Sequence, residues 1–318
     1  MTDIDFTHRV AIVTGAGGGL GRTYALELAA RGAAVVVNDL GGRFDGQGSS
    51  HGMADEVVDA IRAAGGKAAA NYNSVSSRAG GESIVRTALE NFGKVDIVIN
   101  NAGHLRNASF EDIDDETLDS LLDVHLKGAI YVTQPAYRIM KQQGYGRIVF
   151  MSSGAAAFGN PKQAAYAAAK AGLLGVMNVL SLEGKDHGVL CNALLPVATS
   201  RMEAAMDPEQ LAAFTAQYAS LGEKLGSSYL PEFVTPLAVY LASESCTSTR
   251  AIYSAALGRY ARAFIGVTDG WAGPRDKPAT AEGLAEHFQR IGDVGAFSIP
   301  DSLSDEFSII GRILGQSL

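Results

Sequence analysis

Thr14-Gly15-Ala16-Gly17-Gly18-Gly19-Leu20-Gly21 follows a short apolar run and precedes a segment rich in Ala and Leu. This order predicts a buried strand, a glycine turn and then a helix. The turn requires unrestricted φ at Gly15, close approach of the backbone at Gly19 and tight helix packing at Gly21. Because the amino end of a helix attracts anions, the pattern indicates a site for the pyrophosphate of a dinucleotide.

Short β-branched runs alternate with helical patterns along most of the chain. Strands are predicted at residues 9–14, 34–38, 68–72, 96–100, 147–151, 190–195 and 263–268. Helices are predicted near residues 19–31, 52–64, 80–92, 116–141, 163–184 and 231–243. Strands that are apolar on both faces are typical of a parallel sheet covered on each side. We therefore predict a three-layer Rossmann fold of the α/β class, a doubly wound parallel sheet of about seven strands with helices on both faces.

No Pro- or Ser-rich linker divides the chain, which predicts one Rossmann-type domain over residues 1–275. We expect the extension over 276–318 to pack on that domain or on a neighbouring subunit. Residues 197–230 are too apolar for a solvated loop and too interrupted for a core segment, so we predict a lid there. A helix packed permanently on the domain or on a partner subunit is the alternative. Its apolar side chains recur at helical steps: Met202, Met206, Leu211, Phe214, Tyr218 and Leu221.

The composition narrows the class of protein. The 318 residues are 47% hydrophobic and 19% charged, with a formal net charge of −8. Neither a nucleic acid nor a membrane is expected as a partner, because both would need clustered basic residues or a long apolar span. Cys191 and Cys246 lack metal-ligand spacing, so we expect buried thiols and no metal. The segment Met1–Phe6 lacks the features of a signal peptide, and we expect a cytoplasmic protein.

Three residues downstream of the turn carry the predicted chemistry. Tyr166 and Lys170 are four residues apart in an Ala-rich helical pattern, so they share one face of a helix. An adjacent ammonium is expected to lower the pKa of the Tyr166 phenol from about 10 toward the working range. Ser153 ends the fifth predicted strand, 13 residues before Tyr166. A lone Tyr-x-x-x-Lys is usually a surface pair, but with Ser153 and the glycine turn it predicts an alcohol–ketone oxidoreductase.

Asp39 indicates which dinucleotide binds. It ends the second predicted strand, where a carboxylate can bind the adenosine ribose hydroxyls and repel a 2′-phosphate. We therefore expect NAD rather than NADP. Arg43 could neutralise such a phosphate, and a carboxylate that only caps the following loop is the alternative interpretation.

These motifs resemble the short-chain dehydrogenase/reductase family over residues 8–270. The shared motifs are Thr14-Gly15-x-x-x-Gly19-x-Gly21, Asn100-Asn101-Ala102-Gly103, Ser153 and Tyr166-x-x-x-Lys170. The resemblance implies that Tyr166 donates or accepts the proton, that Lys170 is its electrostatic partner and that Ser153 orients the substrate. It also implies a homodimer or homotetramer that pairs through helices 116–141 and 163–184. The residues implied to bind NAD are Gly15, Gly17, Gly19, Leu20, Gly21, Asp39, Ser74, Val75, Asn101, Ala102, Gly103, Tyr166, Lys170, Pro196, Ala198 and Thr199.

The chain departs from the family pattern at one catalytic position. The family stretch Asp-Val-Asn-Leu-x-Gly is Asp123-Val124-His125-Leu126-Lys127-Gly128 here. We expect His125 to lie within hydrogen-bond range of the Lys170 region, through backbone or water, and count it among the catalytic residues. Simple packing of the imidazole is the alternative. The Pro-Gly that usually follows the sixth strand is also replaced, by Pro196-Val197.

Further segments resemble the branch of this family that oxidises (3R)-3-hydroxyacyl-CoA in β-oxidation. They are Val36–Gly42, the His125 stretch, Tyr145–Ile148, Gly159-Asn160, Ser200–Met202 and Glu244–Cys246. The resemblance implies an NAD-dependent enzyme that interconverts a (3R)-3-hydroxyacyl-CoA and a 3-oxoacyl-CoA with a bulky acyl group, steroid-derived groups included. The alternatives are a dehydrogenase of free steroids or other secondary alcohols and a catalytically silent NAD-binding regulator. Basic residues that could bind the phosphates of CoA are Arg106, Lys162, Arg201 and Lys224.

Overall fold

The computed structural model describes residues 3–43, 47–199 and 228–315, together with Pro208 and Ala212. The chain forms two compact units, Met1–Arg262 and Ala263–Leu318. The boundary between them lies inside the segment 1–275 that the sequence analysis treats as one domain. Most of the predicted lid, 197–230, lies outside the described residues.

The larger unit alternates strands and helices. Its first half contains β1 (Val10–Thr14), α1 (Gly19–Ala30), β2 (Ala34–Asn38), α2 (Gly52–Ala63), β3 (Lys67–Asn71), α3 (Arg78–Phe92) and β4 (Ile97–Asn100). Its second half contains α4 (Asp115–Leu121), α5 (Gly128–Gln143), β5 (Gly146–Met151), α6 (Gly154–Phe158), α7 (Ala164–Gly184), β6 (Val189–Val197), α8 (Thr235–Ala242) and β7 (Ile252–Ala256). The strand β8 (Arg259–Ala263) lies at the boundary of the two units.

Eight strands form one sheet in the order β3-β2-β1-β4-β5-β6-β7-β8. The pairs from β3 to β7 are parallel; Val13, for example, lies opposite Val37 on one side and Ile99 on the other. Helices α1, α2 and α8 pack together, as do α3, α5 and α7. The crossover between β3 and β4 reverses the strand order at β1, so the carboxyl ends of β1 and β4 form a crevice. The predicted α/β doubly wound fold is confirmed.

The predicted strand at 263–268 is wrong. The seventh strand is Ile252–Ala256, which pairs in parallel with β6. Within the predicted segment, Ala263 is the last residue of β8, and Val267 and Thr268 form a separate two-residue strand. Phe264 and Ile265, which suggested a buried strand, are 48% and 69% exposed. Leu257 and Gly258 both have positive φ, as the two-residue turn of a hairpin requires, and this turn adds β8 to the edge. β-propensity depends on tertiary context, which the sequence pattern of 263–268 did not reveal.

The long helix predicted at 116–141 is interrupted. The residues Leu122–Lys127 form a π-helical turn between α4 and α5. Such a turn inserts an extra residue into the helical repeat and often occurs at functional sites. It contains His125, whose side chain is buried.

The smaller unit contains two further helices. They are α9 (Ala281–Ile291) and α10 (Leu303–Ile313), capped by the side chains of Thr280 and Ser302. The short strands β9 (Val267–Thr268) and β10 (Phe297–Ser298) pair antiparallel. Both helices lie within the extension over 276–318.

Candidate active site

The glycine turn leaves space for a ligand at one position and excludes side chains at two others. Gly15 has φ +63°, and a Cβ there would lie 2.8 Å from the Ala102 Cα. A Cβ at Gly21 would lie 2.2 Å from the Gly15 carbonyl oxygen. Gly19 has φ +52° and no atom within 4 Å of the position of a Cβ. The N-cap of α1 is Gly18, which offers no side-chain cap, so the first N–H groups of the helix suit a pyrophosphate.

Hydrogen bonds join the turn to the end of β4. Thr14 Oγ1 accepts from the backbone N–H groups of Asn101 and Ala102, both at 3.0 Å. The Asn101 side chain donates to the carbonyl oxygens of Thr14 and Gly15 at 3.0 and 3.1 Å. The segment 101–103 is thereby held beside the turn at the carboxyl edge of the sheet, where ligands bind in such folds.

Asp39 is buried and bonded to the backbone on both sides. Its Oδ2 accepts from Gly17 N at 2.8 Å, and its Oδ1 accepts from Gly41 N at 2.7 Å. A Cβ at Gly17 would lie 2.8 Å from the same Oδ2, so the turn requires glycine there. Each carboxylate oxygen keeps a second lone pair, which can accept from a ribose hydroxyl.

An open cleft, with about 80 Å3 open to the centre of a water molecule, runs from Asp39 toward the end of β4. The predicted residues Ser74, Val75, Ala102 and Gly103 line it. Residues that sequence reasoning missed also line it: Asn38, Leu40, Gly42, Asn73, His104 and Val124. All of them lie at or just beyond the carboxyl end of a strand or on the π-helical turn. That position was the only feature of the sequence that could have indicated them.

Three predicted catalytic residues, Ser153, Tyr166 and Lys170, come together at the carboxyl edge of the sheet. Ser153 is the N-cap of α6, and its hydroxyl bonds with the Tyr166 hydroxyl. Tyr166 and Lys170 lie one turn apart on α7, with Lys170 Nζ 5.8 Å from the centroid of the Tyr166 ring. Lys170 Nζ is buried and donates to the Met151 carbonyl oxygen at 2.7 Å. The three side chains can therefore act on one substrate oxygen.

The pKa values at this group differ from the expectation. Burial raises the pKa of Tyr166 above 10, and the hydrogen bond with Ser153 opposes this only in part. Burial lowers the pKa of Lys170 to about 7. Lys170 therefore does not bring the Tyr166 pKa down in this structure; instead it can itself exchange a proton near neutral pH.

His125 is a neutral imidazole with a defined orientation. Its Nε2 lies 2.8 Å from the His104 carbonyl oxygen, and its ring meets the Tyr166 ring edge-on at 5.2 Å between centroids. Burial, the charge of Lys170 and the neighbouring His104 hold the pKa of His125 well below its usual value. A proton on Nε2 donates to the carbonyl, which leaves Nδ1 as an acceptor. A Cβ at Gly103 would lie 2.3 Å from His125 Cε1, so only glycine leaves room for this ring.

A small cavity lies between His125 and Lys170. It has about 10 Å3 open to the centre of a water molecule, enough for one water. Asn100 also lines it, and its buried Oδ1 accepts no hydrogen bond from any described residue. The same holds for His125 Nδ1. The residues around this water-sized space thus supply one donor, Lys170 Nζ, and two acceptors, Asn100 Oδ1 and His125 Nδ1.

The remaining predicted residues fall into two groups. Pro196, Ala198 and Thr199 lie at or just beyond the carboxyl end of β6, and Thr199 N donates to the Tyr229 carbonyl oxygen at 2.7 Å. Of the basic residues suggested for CoA, Arg106 forms an ion pair with Glu116 at 2.8 Å. Lys162 is exposed, whereas Arg201 and Lys224 lie outside the described residues.

Together, the glycine turn, the cleft and the Ser-Tyr-Lys group define a Rossmann-fold oxidoreductase. The chain belongs to the short-chain dehydrogenase/reductase family: the family model described as short chain dehydrogenase matches residues 9–210. This family binds a nicotinamide dinucleotide, NAD or NADP. The predicted family and enzyme class are confirmed.

Known relatives include both fused and free-standing proteins. The peroxisomal multifunctional enzyme type 2 of Mus musculus is 41% identical over 314 residues, 97% of this chain and 40% of the mouse protein. A short-chain type dehydrogenase/reductase of Mycobacterium tuberculosis is 43% identical over 292 residues, covering 92% and 96%. The 3-oxoacyl-(acyl-carrier-protein) reductase of Synechocystis is 37% identical over 199 residues, covering 62% and 77%.

Among solved structures, the full-length peroxisomal multifunctional enzyme type 2 of Drosophila melanogaster is similar, with a TM-score of 0.78 and 32% identity. The match covers 98% of this chain and 50% of the Drosophila chain. The chain thus spans half or less of these multifunctional enzymes.

Proposed function

We propose that this protein is an NAD-dependent oxidoreductase that interconverts (3R)-3-hydroxyacyl-CoA and 3-oxoacyl-CoA. The observation that carries the proposal is the Ser153–Tyr166 hydrogen bond beside a buried Lys170. This group lies at the carboxyl ends of the strands, as does the open cleft that Asp39 lines. The names of the relatives, a 3-oxoacyl reductase and peroxisomal multifunctional enzymes, support an acyl thioester as substrate.

The proton chemistry follows from the side chains. Ser153 Oγ binds the substrate oxygen, and Tyr166 Oη takes the proton of a hydroxyl or returns one to a ketone. The dinucleotide, when bound in the cleft, accepts or supplies the hydride. The Lys170 ammonium, with a pKa of about 7, can pass a proton onward at neutral pH. A water between Lys170 Nζ, Asn100 Oδ1 and His125 Nδ1 would carry that proton, which gives His125 a role in the relay.

Asp39 supports NAD over NADP. Its carboxylate is buried and already bonded to Gly17 N and Gly41 N, so it cannot move aside without breaking both bonds. A 2′-phosphate on the adenosine ribose would meet this fixed negative charge. We therefore expect kcat/KM to be higher for NAD.

Two exposed aromatic side chains support an apolar substrate. Phe158, 75% exposed, is the last residue of the helix that Ser153 caps. Phe110, 80% exposed, begins the 3-10 turn Phe110–Asp112. Two residues earlier, Ala108 N donates to the carbonyl oxygen of Lys162, which lies four residues before Tyr166. Large exposed apolar groups beside a site commonly mark a binding surface. They suit an acyl chain, including a bulky one.

The deciding experiment follows NADH formation with a panel of substrates. The panel contains (3R)- and (3S)-3-hydroxyacyl-CoAs of short and long chain, the matching free acids, and free steroid alcohols. We expect turnover of the (3R)-thioesters, with kcat/KM rising with chain length. Preference for a free steroid alcohol would instead make the protein a dehydrogenase of free steroids. If no substrate of the panel is turned over, the protein is a catalytically silent dinucleotide-binding protein.

We also infer that the protein is a homodimer or homotetramer. Val179 and Leu182 on α7 are 53% and 49% exposed, whereas Leu173 and Met177 on the same helix are buried. Exposed apolar side chains on a helix that also packs into the core commonly mark an interaction surface. Sedimentation at micromolar concentration tests this, and a purely monomeric mass contradicts it. Replacement of Val179 by Lys should then weaken the association.

A further inference from the structure

Three asparagines form a hydrogen-bonded cluster below one end of the cleft. Asn38 ends β2 and is 1% exposed; Asn71 ends β3 and is 5% exposed. Asn73 follows in the loop that continues into Ser74 and Val75. Sequence reasoning assigned no role to any of the three. Buried amides are costly unless they are bonded, so their bonding pattern has to be explained.

The Asn38 side chain is the centre of this cluster. Its Nδ2 lies 3.2 Å from the Asn71 carbonyl oxygen, 3.1 Å from Asn71 Oδ1 and 2.9 Å from the Asn73 carbonyl oxygen. Asn71 Oδ1 also accepts from Asn73 N at 3.0 Å. Asn71 Nδ2 donates to Thr87 Oγ1 on α3 at 2.9 Å. One donor amide therefore holds the backbone of the loop after β3 against the end of β2.

The same residues connect to the other walls of the cleft. The Asn38 carbonyl oxygen accepts from Ala16 N in the glycine turn at 2.9 Å. Asp39 N donates to the Asn71 carbonyl oxygen at 3.0 Å, which fixes the backbone that carries the Asp39 carboxylate. The glycine turn, Asp39 and the loop from Asn73 to Val75 thus share one buried support.

We propose that Asn38 is a positioning residue that preorganises the adenosine end of the cleft, through Asn71 and the loop that begins at Asn73. The inference rests on the proposed binding of a dinucleotide. Preorganised walls raise affinity because no loop has to be ordered when the ligand binds. Tyr166 and Lys170 are not part of this cluster. Loss of the Asn38 amide should therefore weaken dinucleotide binding equally in the ground state and the transition state, which raises KM and leaves kcat unchanged.

The test compares Asn38→Ala with Asn192→Ala. Asn192 is also a buried strand asparagine, 1% exposed, whose Nδ2 donates to the Ser248 carbonyl oxygen at 2.7 Å, but it does not line the cleft. We expect both variants to melt at lower temperature than the wild type. Only Asn38→Ala should raise the Kd of NADH, the KM of NAD and the Ki of AMP, each about tenfold, with kcat within about twofold. AMP reports on the adenosine half alone.

A second variant tests the same cluster if Asn38→Ala does not fold. Thr87→Val removes the nearer acceptor of Asn71 Nδ2, at 2.9 Å, and leaves Ser83 Oγ at 3.5 Å. It also removes the hydrogen bond that Thr87 Oγ1 donates to the Ser83 carbonyl oxygen within α3, and it should raise the same constants by a smaller factor. If Asn38→Ala and Asn192→Ala lower the melting temperature equally and neither changes NADH or AMP binding, the cluster is purely structural and the inference is overturned. A fall in kcat at constant KM would overturn it as well. Failure of the wild type to bind NADH or AMP would instead overturn the proposed cofactor, and this inference with it.

Discussion

Replacement of Tyr166 by Phe isolates the proton-transfer group. The change removes one oxygen, whose described side-chain partner is Ser153. Ser153 Oγ still accepts from Ala155 N at 3.1 Å, so the cap of α6 survives. The free energy of unfolding should change by about 1 kcal/mol, the net value of one hydrogen bond. The kcat should fall about 10²–10⁴-fold, or about 2.7–5.5 kcal/mol in the barrier, because general acid–base help is lost.

Tyr145→Phe is the matched control for this variant. The Tyr145 hydroxyl is also buried and has no hydrogen-bond partner among the described residues. The guanidinium carbons of Arg9 and Arg147 lie 3.7 and 4.4 Å from the centroid of its ring. Removal of that oxygen should leave kcat unchanged. Both variants should keep the NADH affinity of the wild type, measured by fluorescence titration. A Tyr166→Phe enzyme with more than about a tenth of wild-type kcat would refute the assigned role.

Three further predictions concern neighbouring groups. Gly103→Ala should displace the His125 ring, because the new Cβ would lie 2.3 Å from His125 Cε1, and kcat should fall about 10²-fold. Adding His125→Ala to this variant should restore the melting temperature, because the clash is removed, but should not restore kcat. Lys170→Met should stabilise the fold most at pH 7 and below, by at most about 5 kcal/mol, because burial lowers the Lys170 pKa from 10.5 to about 7. Between pH 7 and pH 10.5, Lys170 is protonated in the unfolded chain but not in the folded one. The difference in the free energy of unfolding between Lys170→Met and the wild type should therefore shrink as the pH rises toward 10.5. A difference that does not change with pH contradicts this prediction. Asp39→Ser should narrow the preference for NAD in kcat/KM and lower the melting temperature, since Gly17 N and Gly41 N lose their acceptors; an unchanged cofactor ratio would remove Asp39 from cofactor selection.

Local features of the sequence were enough to predict most of the fold and the Ser-Tyr-Lys group. Six of the seven predicted strands lie within a residue or two of the observed ones, because buried parallel strands are apolar on both faces. The spacing of Tyr166 and Lys170 determines their shared helix face in any helix. The positive φ of Gly15 and Gly19 follows from the same logic, since a tight turn before a helix favours residues without a Cβ.

Tertiary structure alone decided which distant groups meet. His125 and His104 are 21 residues apart and Asn38 and Asn71 are 33 apart, yet each pair is joined by a hydrogen bond that sets an orientation at the site. The true seventh strand and the π-helical turn depend in the same way on what packs beside them. Hydrophobic periodicity and secondary-structure propensity depend on a few neighbouring residues along the chain. Hydrogen-bond partners and desolvation depend on atoms that only folding brings close together. For that reason the sequence determined which chemistry is present, and the packed structure determined the protonation of Lys170 and His125 and the support beneath the cleft.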